Sequence, residues 1–455
     1  MTPQPSNPDK PLFFQRRFLP MWTALALGAF TDNMLKQALS IGLVFGIFTA
    51  PLISNDDALP IIGSLFPIAM LLFSTIAGQV ADKYETAKMF RLTKFAEFLL
   101  MAMAAIGFLI GNTPILILSL FLMGAQSAFF SPVRTGAMPK YLYADELVRG
   151  NAICGGGLFV SIMIGIVLGG VLIAQPSGPA IVSAVLIIAA LIGWLVIRLA
   201  PEAAANAPDL QLDWNAFAQA KRLAGFALNA RGVSRPLLGV AWYWSVGALV
   251  SVATPFFVRD ILKGDETVVA FMMGLFAIGA ALGSTLAAAV SKGRSALGFS
   301  TIGAFSAGFM TLILYVAAIY YEPPQSSELL NLAALFNQWP AYVIASTFIL
   351  ASISTSLFVV PLQAAVQRRA PAAQRSRILS ANNMANAAGA MVGSWLVLFV
   401  TRTPLGADEI FLAVGVAQFL LAGYMIARAR VTPRGLYDEM LLSNAPALRE
   451  EKVES

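Results

Sequence analysis

The chain has 455 residues, of which 58% are hydrophobic and only 12% charged, with a mean hydropathy of +0.74. Soluble domains carry roughly 25% charged residues, so this balance argues against a soluble core and for a polytopic membrane protein. With no histidine, one cysteine, and 30 Lys plus Arg against 24 Asp plus Glu, the chain excludes histidine metal sites, Ser-His or Cys-His nucleophile pairs and an intrachain disulfide.

Residues 1–17, MTPQPSNPDKPLFFQRR, lack the cleavage site of a secretory signal. They read as a short cytoplasmic tail that ends in a basic-aromatic juxtamembrane stretch. Twelve apolar segments of spanning length follow, at 18–48, 59–81, 88–111, 113–133, 148–174, 179–200, 236–259, 267–291, 296–320, 340–367, 376–401 and 408–428.

The first segment holds LGAFTDNMLKQAL, with Asp32, Asn33 and Lys36 near its midpoint. Asp32 and Lys36 are one turn apart, acid first, so they share a helix face and can pair. The alternative is that this face lines a water-filled path and meets a polar or zwitterionic substrate, as charges deep in spans usually do. An ammonium on Asp32 and a phosphate on Lys36 would then open the pair.

The second segment ends in GQVADKYETAKMFR, residues 78–91. Gly78 allows close helix approach, and Asp82 with Lys83 sits at the mouth of the bundle. In the third segment, Glu97 follows Lys94 by one turn and is either its structural partner or part of a cavity wall. The fourth segment holds Gln126 and Ser127. The fifth carries Cys154 and the runs GGGLF and GIVLGGVL, which suit tight helix packing and not a phosphate cradle. No G-x-x-x-x-G-K-(S/T) occurs, so ATP-driven transport has no motif here.

Residues 201–235 form the longest connection. Its second part has helical apolar spacing with a basic face, and reads as a plain linker or as a helix on the membrane surface. In the second half, Gln363, Gln367, Asn382, Asn383 and Asn386 interrupt otherwise apolar spans. They are helix-helix glue or cavity lining. Residues 431–455 read as a second cytoplasmic tail.

Charge sets the expected orientation. With the N-terminus cytoplasmic, the loops on that side hold all the cations except Arg259, Lys263 and Arg402 on the opposite side and Lys36 within a span. That is the positive-inside pattern, and it explains the basic balance without nucleic acid. Both termini are expected in the cytoplasm. The halves also look repeated. TIAGQVADK (75–83) aligns with TLAAAVSKG (285–293), and SPVRTGAMPKYLYADELVRGNA (131–152) aligns with VPLQAAVQRRAPAAQRSRILSANN (360–383). Pro132 then meets Pro361, and Asn151 meets Asn382.

Parallel six-helix repeats resemble the layout of the major facilitator superfamily. The 78–91 stretch resembles that superfamily's loop signature G-x-x-x-D-(R/K). The resemblance implies that Asp82 holds the cytoplasmic face shut through a base, Arg134 here, and through the start of the eleventh helix near Ser376. Lys292 takes the matching position in the second half. Within the superfamily, the chain resembles the lysophospholipid transporter family over about residues 15–430. GAFTDNMLKQAL, FFSPVRTGAMPKYLYADELVRGNA and LFVVPLQAAVQRRAP carry that resemblance.

The expected fold is an all-α membrane protein of twelve helices in two pseudo-symmetric six-helix bundles, residues 18–200 and 236–430. The resemblance implies a non-enzymatic carrier in the bacterial inner membrane that moves lysophospholipids by alternating access, with no cofactor or metal. Asp32, Asn33, Lys36, Glu97, Gln126, Gln363, Asn382 and Asn386 are its candidate substrate residues. Gly78, Asp82, Lys83 and Arg134 are its candidate gate. A cytoplasmic acyltransferase is a candidate partner of an otherwise monomeric protein. The acyltransferase signature H-x-x-x-x-D of fused relatives cannot occur without histidine. Two alternatives stay open: a proton-coupled exporter of amphipathic drugs, and a non-transporting accessory of an acyltransferase.

Overall fold

A computed structural model describes residues 11–51, 54–143, 146–229, 232–291, 297–323, 328–369 and 375–431. Among the described residues it is helical throughout. The first half contributes α1 (Leu19–Val44), α2 (Asn55–Lys83), α3 (Thr86–Leu109), α4 (Thr113–Tyr141), α5 (Leu147–Ile173) and α6 (Gly178–Ile197). A short α7 (Ala216–Asn229) lies in the connection. The second half contributes α8 (Ser234–Phe256), α9 (Glu266–Ser291), α10 (Leu297–Ile319), a one-turn α11 (Leu332–Leu335), α12 (Trp339–Arg369), α13 (Arg375–Thr401) and α14 (Ala407–Val431).

Eleven of these helices are long and apolar enough to cross a membrane. The remaining long helix is α1. Its 26 residues suffice in length, but Asp32, Asn33, Lys36 and Gln37 lower its hydropathy. Outward-facing Leu99, Ile106, Ile188, Phe305 and Leu420 are exposed, as helices bathed in lipid require. Several ends differ from the sequence reading. The largest difference is α4, which runs on through Pro132 and Pro139 to Tyr141.

The helices pair in the same order in both halves. α1 packs on α5, α2 on α4 and α3 on α6; correspondingly, α8 packs on α13, α9 on α12 and α10 on α14. Glycines spaced by four make the first of these pairings possible in each half. A Cβ on Gly165 or Gly169 of α5 would lie 2.5 Å from the Phe30 carbonyl oxygen or 2.7 Å from that of Met34, on α1. A Cβ on Gly389 or Gly393 of α13 would run into the carbonyls of Ala241 or Ser245 on α8.

The bundles meet through α2 against α13 and α5 against α9. Their contact is concentrated at the end where α1 finishes and α2 begins. Val44 and Leu59 there form one apolar cluster with Val252, Phe256 and Val397 of the other bundle. A π-turn, Phe257–Ile261, extends α8 and carries Arg259 over the end of α1. Arg259 reaches Asp56 at 2.9 Å, and Arg402 reaches Asp57 at 3.4 Å. At the other end Lys83, Lys88, Arg91 and Lys140 gather. α5 touches α9 near Gly170 and Ala270, whereas Gly155 and Gly156, toward this basic end, face open space.

The interiors of the two bundles differ. In the first, Lys94 and Glu97 of α3 form an ion pair at 2.6 Å, with side chains 0% and 2% exposed. Gly28 of α1 makes the room, since a Cβ there would lie 2.5 Å from Lys94 Nζ. In the second, α8 barely touches α14, and an apolar cavity lined by Tyr243, Val246, Phe276 and Phe411 fills the space between them.

At the basic edge, Arg17 is only 4% exposed and clamps Glu146 with two hydrogen bonds of 2.6 Å. Hydrogen bonding from Arg17 holds the Glu146 carboxyl below the usual carboxylate range. This clamp ties the start of the chain to the α4–α5 connection.

Two predictions follow from this packing, both read as thermal stability of the full chain in detergent. Gly393→Val forces α13 off α8 and destabilises the fold by about 1–3 kcal/mol, whereas Gly423→Ala, which meets nothing within 4 Å, lowers the melting temperature not at all. Lys94→Met strands a buried carboxylate and costs about 3–5 kcal/mol. Lys94→Met combined with Glu97→Leu restores most of that loss; a double variant as unstable as the single would refute the pairing account.

Candidate functional site

Asp32 lies near the middle of α1, about 20 Å along the helix from Leu19 at ~1.5 Å per residue. α1 packs on α5 and α6 of its own bundle and also touches α8 of the other. It therefore stands on the inner side of its bundle. Asp32, Asn33, Lys36 and Ser40 are half-buried, while Thr31, Met34, Leu35, Gln37 and Ala38 are buried. Asp32, Asn33, Lys36 and Ser40 thus mark one half-buried polar stripe along α1, on the side of α4 and α2.

The two charges on that face do not pair. Ser127 of α4 donates its hydroxyl to Asp32 Oδ2 at 3.0 Å. Asp32 Oδ1 is buried and has no hydrogen-bond partner. Lys36 turns toward α2 instead, its Nζ 5.4 Å from the centre of the Phe66 ring. Among the described residues Lys36 has no ion pair. Of the two readings that their spacing allows, the Asp32–Lys36 ion pair is not formed: Asp32 bonds a hydroxyl on α4 and Lys36 lies over a ring on α2. Asn33 donates to the Ala29 carbonyl at 2.8 Å, which fixes its amide beside them.

Behind this face lies a sealed polar layer. Glu97 Oε2 receives Lys94 at 2.6 Å and Gln126 Nε2 at 3.3 Å. Gln126 Nε2 also donates to the Thr93 carbonyl at 3.0 Å, and Thr31 reaches Glu97 Oε1 at 3.5 Å. Lys94 Nζ stands 4.7 Å from the centre of the Phe130 ring. Glu97 and Gln126 are buried, at 2% and 7% exposure. The structure thus places both candidates inside the bundle and away from the cleft wall. The layer joins the cleft through Gln126 Oε1, 3.4 Å from Ser127 Oγ.

In the second half, Asn382 and Asn386 share a face of α13. With its amide oriented to satisfy both of its atoms, Asn386 donates to the Asn382 carbonyl at 3.0 Å. It then accepts from Asn382 Nδ2 at 3.2 Å and from Trp244 Nε1 of α8 at 3.3 Å. Gln363 is half-buried on α12. Trp244 joins this cluster without any sequence signal beyond its presence in a span.

The candidate gate is engaged with the connection between the halves. Asp82 Oδ1 accepts from Asn206 Nδ2 at 2.7 Å, and the Asp82 carbonyl accepts from the Ala207 amide at 2.9 Å. Gln79 bonds the Asp213 backbone and Gln219. Glu85 caps α3 and also accepts from the Ala203 amide at 2.7 Å. Asp82 does not meet Arg134, which is half-buried on α4. The Asp82–Arg134 contact expected from the sequence is absent in this arrangement, where Asn206 bonds one oxygen of the Asp82 carboxylate. Gly78 meets nothing within 4 Å, and Lys83 is half-buried beside it. Lys292 and the side chain of Ser376 lie outside the described residues. Leu223 and Phe226 of α7 pack on Val233, Leu237, Val366 and Ile378. Leu223 and Phe226 of the connecting helix are thus covered by protein, whereas Leu228 is exposed.

Solved structures share this architecture. A peptide transporter of the POT type in complex with alafosfalin superposes with a TM-score of 0.68 at 15% identity, covering 93% of this chain and 96% of that one. A bacterial homologue of the iron transporter ferroportin, in an inward-facing state, gives 0.61 at 15% identity over 90% and 98%. At these identities the likeness shows the fold. Among relatives by sequence, the lysophospholipid transporter LplT of Cronobacter sakazakii is 24% identical over 81% of this chain and 84% of its own length. LplT of Citrobacter koseri is 27% identical over 58% of this chain, the match spanning 63% of that protein. Residues 21–336 match the Major Facilitator Superfamily. That match covers more than half of the sequence, and the chain belongs to the Major Facilitator Superfamily of membrane transporters.

Proposed function

We propose that this chain moves a single-chain zwitterionic phospholipid, of the lysophosphatidylethanolamine type, across the bacterial inner membrane by alternating access. One observation carries the reading. Asp32 keeps a buried oxygen without a partner, and Lys36, one turn away on the same half-buried face, has no ion pair among the described residues. An ammonium and a phosphate joined by two carbons present the complementary charges in that order. Relatives named lysophospholipid transporter support the same substrate class.

In this reading Asn33 adds a donor and an acceptor to the head-group site, and Gln363, Asn382 and Asn386 face it from the second bundle. The acyl chain lies along apolar helix faces toward the gap beside Gly155 and Gly156. Residues 18–200 and 236–430 rock as two bundles about the 201–235 connection. The basic end faces the cytoplasm, following the positive-inside rule, and closes when Asp82 leaves Asn206 for Arg134 and the start of α13. The delivered lysolipid is then a substrate for a cytoplasmic acyltransferase.

The test is entry of labelled lysophosphatidylethanolamine into liposomes containing the purified chain. The parent transports. Asp32→Asn and Lys36→Ala each lower the rate about tenfold or more, as expected when a hydrogen bond to a charged group worth ~1.5–3 kcal/mol is lost. A well-folded parent that moves no lysolipid contradicts the assignment.

A further inference from the structure

We propose that residues 204–219 form a releasable strap, seated on the end of α2, which must lift before the basic end of the protein closes. The proposal rests on the transport reading above and names a control built into the connection between the halves.

The connection has two fixed ends and a seated middle. Its root belongs to the first bundle. Ala200 is buried in that bundle's core, and the Pro201 carbonyl accepts from the Tyr141 hydroxyl at 2.7 Å. Ala203 accepts from the Thr86 amide at 3.0 Å and donates to the Glu85 carboxylate at 2.7 Å. Its far end belongs to the second bundle. Leu223 and Phe226 of α7 pack on Val233, Leu237, Val366 and Ile378, which are buried. Arg369 of α12 donates to the Gly232 carbonyl at 3.1 Å. Apolar burial holds this end against water.

The middle is seated through hydrogen bonds that lie mostly in water. Lys140 donates to the Ala204 carbonyl at 2.8 Å. Asn206 holds the Asp82 side chain at 2.7 Å, and the Ala207 amide holds its carbonyl at 2.9 Å. Gln79, one turn before Asp82, accepts from the Asp213 amide at 2.8 Å and donates to Gln219 Oε1 at 2.8 Å. Exposed bonds of this kind exchange for bonds to water at small net cost. Lifting the middle breaks no helix cap, because Glu85 still accepts from Ala87 and Lys88 of α3. Asp213 leaves with α7, to which Arg222 ties it at 3.0 Å. Once lifted, residues 204–215 reach about 40 Å when extended, so the tether no longer limits the distance between the bundles.

While seated, the strap fixes the end of α2 to a segment that leads to the other bundle. It also holds Asp82 by side chain and main chain, so a turn of Asp82 toward Arg134 draws it off both bonds. Closure of the basic end and seating of the strap therefore exclude each other.

The experiment measures separation across the basic end by electron spin resonance of the full chain in bilayers. Nitroxides are placed on Lys88→Cys of α3 and Gln367→Cys of α12, both exposed, in a Cys154→Ala background. Asn206→Ala moves the ratio of long to short separations toward the short one by about tenfold, the worth of a hydrogen bond to a charged group. Gln79→Ala shifts it in the same direction. Asn229→Ala, which removes only a bond within α7 to Gly225, leaves the ratio as in the parent. An unchanged ratio in both Asn206→Ala and Gln79→Ala, or a shift to longer separation, overturns the proposal. In liposomes, Gln79→Cys with Gln219→Cys, joined by a short reducible bis-methanethiosulfonate, takes up labelled lysophosphatidylethanolamine about tenfold more slowly than before joining, and reductant restores the rate. Joining that leaves uptake unchanged overturns the need for release. Failure of all lysolipid uptake removes the transport reading, while the separations still decide whether the strap restrains the basic end.

Discussion

A charge held inside a bilayer must find a partner or water, and the first bundle meets this constraint in two ways. Lys94 and Glu97 are sealed together, their residual hydrogen-bonding capacity taken up by Gln126 and Thr31 and by the face of the Phe130 ring. Asp32 and Lys36, one helix away, are kept apart by Ser127 and Phe66. The first arrangement leaves nothing for a ligand to satisfy. The second leaves Asp32 Oδ1 without a hydrogen-bond partner and Lys36 without an ion pair among the described residues. The sealed pair makes the open pair possible, because it holds Gln126 and so places Ser127.

The two halves repeat the same helix pairings, and the same Gly-x-x-x-Gly spacing brings α5 against α1 and α13 against α8. They have diverged inside. The second bundle replaces the buried ion pair with an apolar cavity. Gln418 on its wall accepts from Trp242 Nε1 at 3.3 Å, beside Thr311 and Thr355, and a separate Asn382–Asn386–Trp244 cluster joins α13 to α8. Charge at the midplane belongs to the first bundle alone among the described residues. In the proposed reading this asymmetry leaves the recognition of charge to α1, and amides and apolar surface to the second bundle.

Much of this was legible in the sequence. Spans show as apolar runs, and the positions of Asp32, Asn33 and Lys36 on one face follow from helical spacing alone. The weak repeat between the halves appears in the structure as a repeated pairing order. What spacing could not reveal is which partner a side chain chooses across the bundle. Asp32 and Lys36 are four apart and can pair, yet Asp32 bonds Ser127, 95 residues away. The Lys94–Glu97 pair is one of the two readings that their one-turn spacing allows, and the structure forms it; that Gln126 turns inward to join it has no signal in the span. Asp82 reads as a gate to Arg134, and it meets Asn206 from a connection with no motif of its own. The π-turn that carries Arg259 over α1 also has no signature beyond Pro255 in the preceding helix.

The most direct measurement is a structure of the chain with lysophosphatidylethanolamine bound in bilayer discs. The account places the ammonium within hydrogen-bond distance of Asp32 Oδ1 and the phosphate against Lys36 Nζ, with Lys94 and Glu97 still paired behind them. A head group seated elsewhere, for instance on Asn382 and Asn386 with Asp32 and Lys36 untouched, would contradict it.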